Sequence, residues 1–66
     1  MTEEEIKAAF NEMRATPMKE ISSMKKLLDM NFDEDFRKIC ERRIEKAQKL
    51  LDLIDDLEKK KLSTLE

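Results

Sequence analysis

Met30-Asn31-Phe32-Asp33-Glu34-Asp35-Phe36 divides this chain of 66 residues into two helical halves. The apolar periodicity of the preceding segment stops near Met30. Asn31 and Asp33 are both residue types that cap helix N-termini, and Asn31 and Glu34 have capping-box spacing. Asp33, Glu34 and Asp35 place negative charge in the first turn of the helix that follows, where the helix dipole favours it. The stretch therefore reads as the end of one helix, a turn and the start of another.

C-terminal to this turn the pattern predicts one long helix over about residues 33–62. At about 100° per residue, Phe36, Ile39, Cys40, Ile44, Ala47, Leu50, Leu51, Leu53, Ile54, Leu57, Leu62 and Leu65 span about half of its circumference. A single coiled-coil partner needs a narrower stripe. The width implies a second contact surface, met either by a folded-back N-terminal helix or by a second chain. Lys59-Lys60-Lys61 complements the C-terminal end of the helix dipole.

N-terminal to the turn, Thr2 is a candidate cap with Glu5 at capping-box spacing. Ile6, Ala9, Phe10 and Met13 form one apolar stripe, which predicts a first helix over about residues 3–15. Thr16-Pro17 is a break signal, with threonine as cap and proline at a first helical position. The stripe resumes as Pro17, Ile21, Met24 and Leu28. The step from Met13 to Pro17 to Ile21 keeps register, so an in-line kink and a sharp turn are both open. The expected fold is all-α: an antiparallel helical hairpin with an additional N-terminal helix, three helices in all with a kink or turn at Pro17, forming an oligomer.

Folding the chain about residue 32 pairs positions whose numbers sum to about 64. Leu28 then meets Phe36, Met24 meets Cys40, Pro17 meets Ala47, Met13 meets Leu50, Phe10 meets Ile54 and Ile6 meets Leu57. Arg43 is the one charge in the middle of the long helix's apolar arc, and Glu20 lies opposite it. The two are expected to form an interhelical pair, since an unpaired buried charge is costly.

Composition fits this picture. The chain has no glycine, one proline and 45% charged residues, which suits amphipathic helices and argues against a sheet. A domain this short is marginal without disulfides, metal or association. The single cysteine, Cys40, excludes an internal disulfide, and the absence of histidine leaves a poor zinc ligand set. Association is the remaining source of a larger core. No apolar run approaches a membrane span, and the acidic N-terminus is unlike a signal peptide. Together with the lone thiol, this points to the cytoplasm.

The charge is unevenly spread over the two halves. Residues 1–35 hold five basic and nine acidic residues, net −4, and residues 36–66 hold nine basic and seven acidic, net +2. The halves of an antiparallel hairpin therefore attract each other.

Catalytic equipment is not legible. There is no phosphate-binding glycine loop, no histidine base and no cysteine–histidine or serine–histidine pair. Asp33-Glu34-Asp35 lacks the length and glycine of a calcium loop and reads as capping. Cys40 lies on the apolar arc and reads as a buried, inert thiol. The basic run Arg37, Lys38, Arg42, Arg43, Lys46 and Lys49 reads as a solvated helix face interleaved with Glu41 and Glu45. No aromatic residues are interleaved with it to stack bases, so nucleic acid is not an expected partner. No enzyme activity, cofactor or metal is expected. Phe32 has two readings. Either it folds inward with Phe36 to close the hairpin, or it forms an apolar tip that enters a partner's groove.

The turn resembles that of the Sda family, sporulation-checkpoint inhibitors of sensor histidine kinases. Its members are short helical hairpins whose turn reads methionine–asparagine–leucine, two variable residues, then aspartate–phenylalanine. Met30, Asn31, Asp35 and Phe36 match, and Phe32 replaces the leucine. Thr16 falls where the family has a serine cap, and Ile21, Ser23, Lys26, Glu41 and Ile44 also match. The likeness covers about residues 16–47; the N-terminal segment and the extended C-terminal helix have no counterpart. It implies a non-enzymatic regulator that binds the dimerisation and phosphotransfer helices of a kinase and inhibits it. Met30, Asn31, Phe32 and Phe36 would be the partner-binding residues. Asp33-Glu34 followed by Ile39-Cys40-Glu41 also resembles, at an offset, the Rop-like RNA-binding hairpin dimers, although Pro17 does not suit their straight first helix. The expected function is thus inhibition of a protein partner, with an RNA-binding or structural hairpin dimer as the alternative.

Overall fold

Two helices account for the fold in the computed structural model, which describes residues 2–30 and 32–64. Helix α1 runs Glu3–Leu28 and α2 runs Glu34–Ser63. They lie side by side, antiparallel, and no strand occurs among the described residues. The hairpin is elongated, with extents of 51 × 15 × 10 Å.

Each helix begins where its capping chemistry places it. The Thr2 backbone is extended, and its hydroxyl accepts from the Glu5 backbone N–H at 3.2 Å. Glu5 Oε1 in turn accepts from the Thr2 backbone N–H at 3.3 Å, completing the capping box. At the second helix Asp33 is the cap, its carboxylate accepting from the Phe36 N–H at 2.9 Å. The alternative cap, Asn31, lies outside the described residues. Lys25 and Lys26 sit in the last turn of α1, and Lys60 and Lys61 in that of α2, where positive charge offsets the dipole.

The expected third helix is not separate. α1 runs unbroken through Thr16 and Pro17, so Thr16 is a mid-helix residue rather than a cap. Proline inside a helix costs about 3 kcal/mol relative to alanine, because it lacks an N–H and crowds the preceding turn. Tertiary burial offsets that cost here. Pro17 is buried and Ala47, also buried, faces it across the pair, so the small residue leaves room for the ring. Breaking α1 at this point would strip Ile6 and Phe10 from α2.

The core is a thin seam of Ile6, Pro17, Cys40, Ala47 and Ile54, flanked by half-buried Phe10, Ile21, Met24, Leu28, Phe36, Ile44, Leu51 and Leu62. The seam corrects two of the expected pairings. Leu50 and Leu57, placed opposite Met13 and Ile6, are instead half-exposed, as is Met13. The positions of α2 turned toward α1 in this region are Leu51, Ile54, Glu58 and Leu62. The wide apolar arc of α2 therefore holds two stripes. One, through Cys40, Ile44, Ala47, Leu51 and Ile54, packs on α1. The other, one residue earlier at Ile39, Leu50, Leu53 and Leu57, stays open because α1 continues in line and does not fold back over it.

Candidate functional site: the turn and the interhelical clasp

The turn is built by the end of α1. The Asp29 backbone N–H donates to the Lys25 carbonyl at 3.2 Å, and the Met30 N–H donates to the Leu27 carbonyl at 3.1 Å. This tightening ends the helix and projects Met30 outward, 64% exposed. Phe32 follows at 43% exposed, and its ring rests on that of Phe36, centroids 4.5 Å apart and planes tilted by 50°. Such tilted contact is a favoured aromatic geometry. Phe36, anchored one turn into α2 and half-buried, thus holds Phe32 in a defined position. Phe32 thus packs on Phe36, as its inward reading expects, and keeps part of its surface exposed. Asn31, the remaining residue assigned to partner binding, lies outside the described residues.

Beside the tip, Phe32, Glu34, Arg37, Lys38 and Glu41 line an open groove. Its charges are of both signs, so the basic residues here do not form a one-sign field. Further along, Glu20 and Arg43 approach across the helices at 3.9 Å, both side chains substantially exposed. The expected partners do meet, but not as a buried pair. At that length and exposure the contact is a weak surface attraction.

The strong polar contact lies elsewhere, at a position that register counting missed. Arg14 reaches from α1 to Asp55 and Glu58 of α2. Its Nε donates to Asp55 Oδ1 at 3.0 Å, its Nη2 to Glu58 Oε1 at 2.7 Å, and its Nη1 to Asn11 Oδ1 at 2.9 Å and Glu58 Oε2 at 3.4 Å. Nη2 also lies 2.8 Å from Asp55 Oδ1. The planar guanidinium is matched by two carboxylates and an amide, and Glu58 takes it bidentately. The Arg14 side chain is only 18% exposed. Hydrogen bonding from Glu58, then from Asp55, raises its pKa above the usual arginine range.

The signal for this clasp was present in the sequence. Helical side chains lean toward their own N-terminus. In an antiparallel pair, Arg14 therefore leans toward the C-terminal end of α2 while Glu58 leans back to meet it. Counting opposed backbone positions alone pairs Arg14 with Leu50, about one and a half to two turns short of Asp55 and Glu58.

Among the described residues, no group of three or more histidine, cysteine, aspartate or glutamate side chains is arranged to hold a metal ion. Cys40 is buried. No helix among them is long and apolar enough to cross a membrane. No protein-family model, curated protein or solved structure matches this chain.

Proposed function

We propose that this hairpin is a small, non-enzymatic, cytoplasmic regulator that binds and inhibits a protein partner through its turn. The observation that carries the reading is the tip itself. Met30 and Phe32 are each exposed at the turn that ends an elongated rod, and Phe36 packs against the Phe32 ring. Partly exposed aromatic and methionine side chains held on a fixed support are typical anchors for insertion into a partner's pocket. Pre-positioning by Phe36 lowers the ordering cost of binding.

The best single partner is the helical dimerisation and phosphotransfer region of a sensor histidine kinase. Support for it comes from the resemblance of Met30–Phe36 to the Sda turn. A rod with an apolar end can also add to a helical bundle along its helices. Inhibition would then be steric, by holding the kinase helices apart from the catalytic domain that phosphorylates them. RNA is the weaker alternative, because Glu34 and Glu41 share the groove with Arg37 and Lys38 and oppose a phosphate backbone.

The test is autophosphorylation of purified sensor kinases in the presence of the purified chain. Inhibition is expected for the wild-type chain. For Phe32→Ala it should fall by tenfold or more, with the helical circular dichroism of the chain unchanged. Equal inhibition by Phe32→Ala and wild type refutes the tip as the contact, and absence of inhibition across a panel of kinases refutes the kinase as partner.

A further inference from the structure

We infer that the open side of the hairpin, the groove between α1 and the stripe from Ile39 to Lys60 of α2, docks an acidic amphipathic helix of a protein partner, which lies along the pair as a third helix. The surface is the flank of the rod, and the inference does not rest on the role proposed for the turn. Three observations carry it.

The first is a second seam on each helix. On α2 the open stripe runs from Ile39 through Leu50, Leu53 and Leu57, all about half-exposed. Arg43 and Lys46 fill the steps between Ile39 and Leu50, and Lys60 takes the step after Leu57. The spacing therefore alternates four and three throughout, as in a coiled-coil seam. On α1, Met13, Thr16 and Glu20 reach the same groove at the same spacing, and Ser23 follows. Thr16 and Ser23 are short and exposed, so a helix backbone can come close there.

The second is shape. Two hollows lie on this side of the hairpin. One is floored by Pro17 and Ala47 and bordered by Leu50, Arg43 and Lys46. The other lies among Phe10, Met13 and Leu57, with Lys60 and Lys61 beside it. Ala47 and Leu57 are about 15 Å apart along α2. A helix laid lengthwise sets side chains about three turns apart into both hollows, whereas a flat lipid surface rests on the rim and reaches neither floor.

The third is charge, and it decides the sign of the occupant. Among the described residues that line the two hollows, Glu20 is the one carboxylate, and it faces Arg43 at 3.9 Å. Lys46, Lys60 and Lys61 make no ion pair among the described residues. Asp55 and Glu58 are taken up by Arg14 and line neither hollow. A second copy does not suit these cations. Antiparallel pairing with leucine on leucine sets Arg43 against Lys60, and parallel pairing sets each cation against itself. An acidic helix does suit them. Its apolar centre covers Leu50, Leu53 and Leu57, and carboxylates on either side of that centre meet Lys46 and Lys60, about 21 Å apart.

The test is binding of the full chain to a labelled synthetic helical peptide of about five turns, read by fluorescence anisotropy. The peptide carries leucines at seam positions in its centre and glutamates at seam positions toward both ends; the control carries lysines in place of those glutamates. The glutamate peptide should bind at least about tenfold more tightly, by a margin that shrinks as salt is raised. Lys46→Glu with Lys60→Glu should reverse the preference. Leu53→Ala should weaken the glutamate peptide by about tenfold. Lys46, Leu53 and Lys60 are all exposed, so these changes spare the seam between α1 and α2. Absence of binding, equal affinity for the two peptides, or a preference that survives the double reversal overturns the inference. Tighter binding to phosphatidylglycerol vesicles than to the glutamate peptide assigns the face to a lipid surface, and a wild-type dimer that Leu53→Ala dissociates assigns it to a second copy; either result overturns the inference. Should a variant lose helicity, the wild-type chain decides: a preference for the glutamate peptide that fades with salt supports the inference, and one that salt leaves unchanged overturns it.

Discussion

Replacing Pro17 by alanine should stabilise this protein, although Pro17 is one of its few buried residues. Inside a helix, proline costs about 3 kcal/mol relative to alanine, from the missing hydrogen bond and the clash of its ring with the preceding turn. Against that gain stands lost packing. Alanine lacks two of the ring carbons buried against Ala47, worth about 1.6 kcal/mol at about 0.8 per methylene. Incomplete collapse of the space removes a little more. The balance is a gain of about 1 kcal/mol, which in a domain of this size raises the melting temperature by about 4–8 °C. Thermal unfolding followed by far-ultraviolet circular dichroism measures it directly. Wild type and variant must be compared at equal protein concentration, because association shifts apparent stability. A melting temperature lowered by several degrees would refute the reasoning. It would mean that a bend imposed by Pro17 is what lets α1 follow α2, and that the seam depends on proline geometry rather than on apolar register.

Further perturbations probe the other parts of the fold. Arg14→Ala should lower the melting temperature. Arg14→Lys should recover little of the loss, because an ammonium cannot match Asp55 and Glu58 together. Since the Arg14 pKa is raised, its charge persists through neutral pH and is lost only in strong alkali, so a stability profile between pH 7 and 9 should show no step from this group. Ile54→Ala removes a side chain that is 2% exposed and should cost roughly 2–5 kcal/mol, read as loss of most helical signal at 37 °C. Cys40, 1% exposed, should resist a thiol reagent under native conditions and react at once in denaturant; rapid native labelling would place it outside the seam. Thr2→Ala removes the capping box and should cost about 1 kcal/mol, seen as fraying of the first turn in amide exchange.

What could be read from the sequence was what local chemistry decides. The capping box at Thr2, the cap at Asp33 and the turn between α1 and α2 each rest on a few adjacent residues, and the structure has all of them. The opposition of Pro17 with Ala47, and of Glu20 with Arg43, came from one number, the fold-back point. What escaped required knowledge of the partner element. Thr16-Pro17 is a break signal within its own segment, and only burial against α2 outweighs it. The apolar arc of α2 was legible as too wide for one partner. Its division into a packed and an open stripe was not, because Leu50 and Leu51, or Leu53 and Ile54, are equivalent to any pattern of hydrophobicity. Arg14 was missed for a geometric reason: side chains lean along their helices, and opposed backbone positions are not opposed side-chain ends.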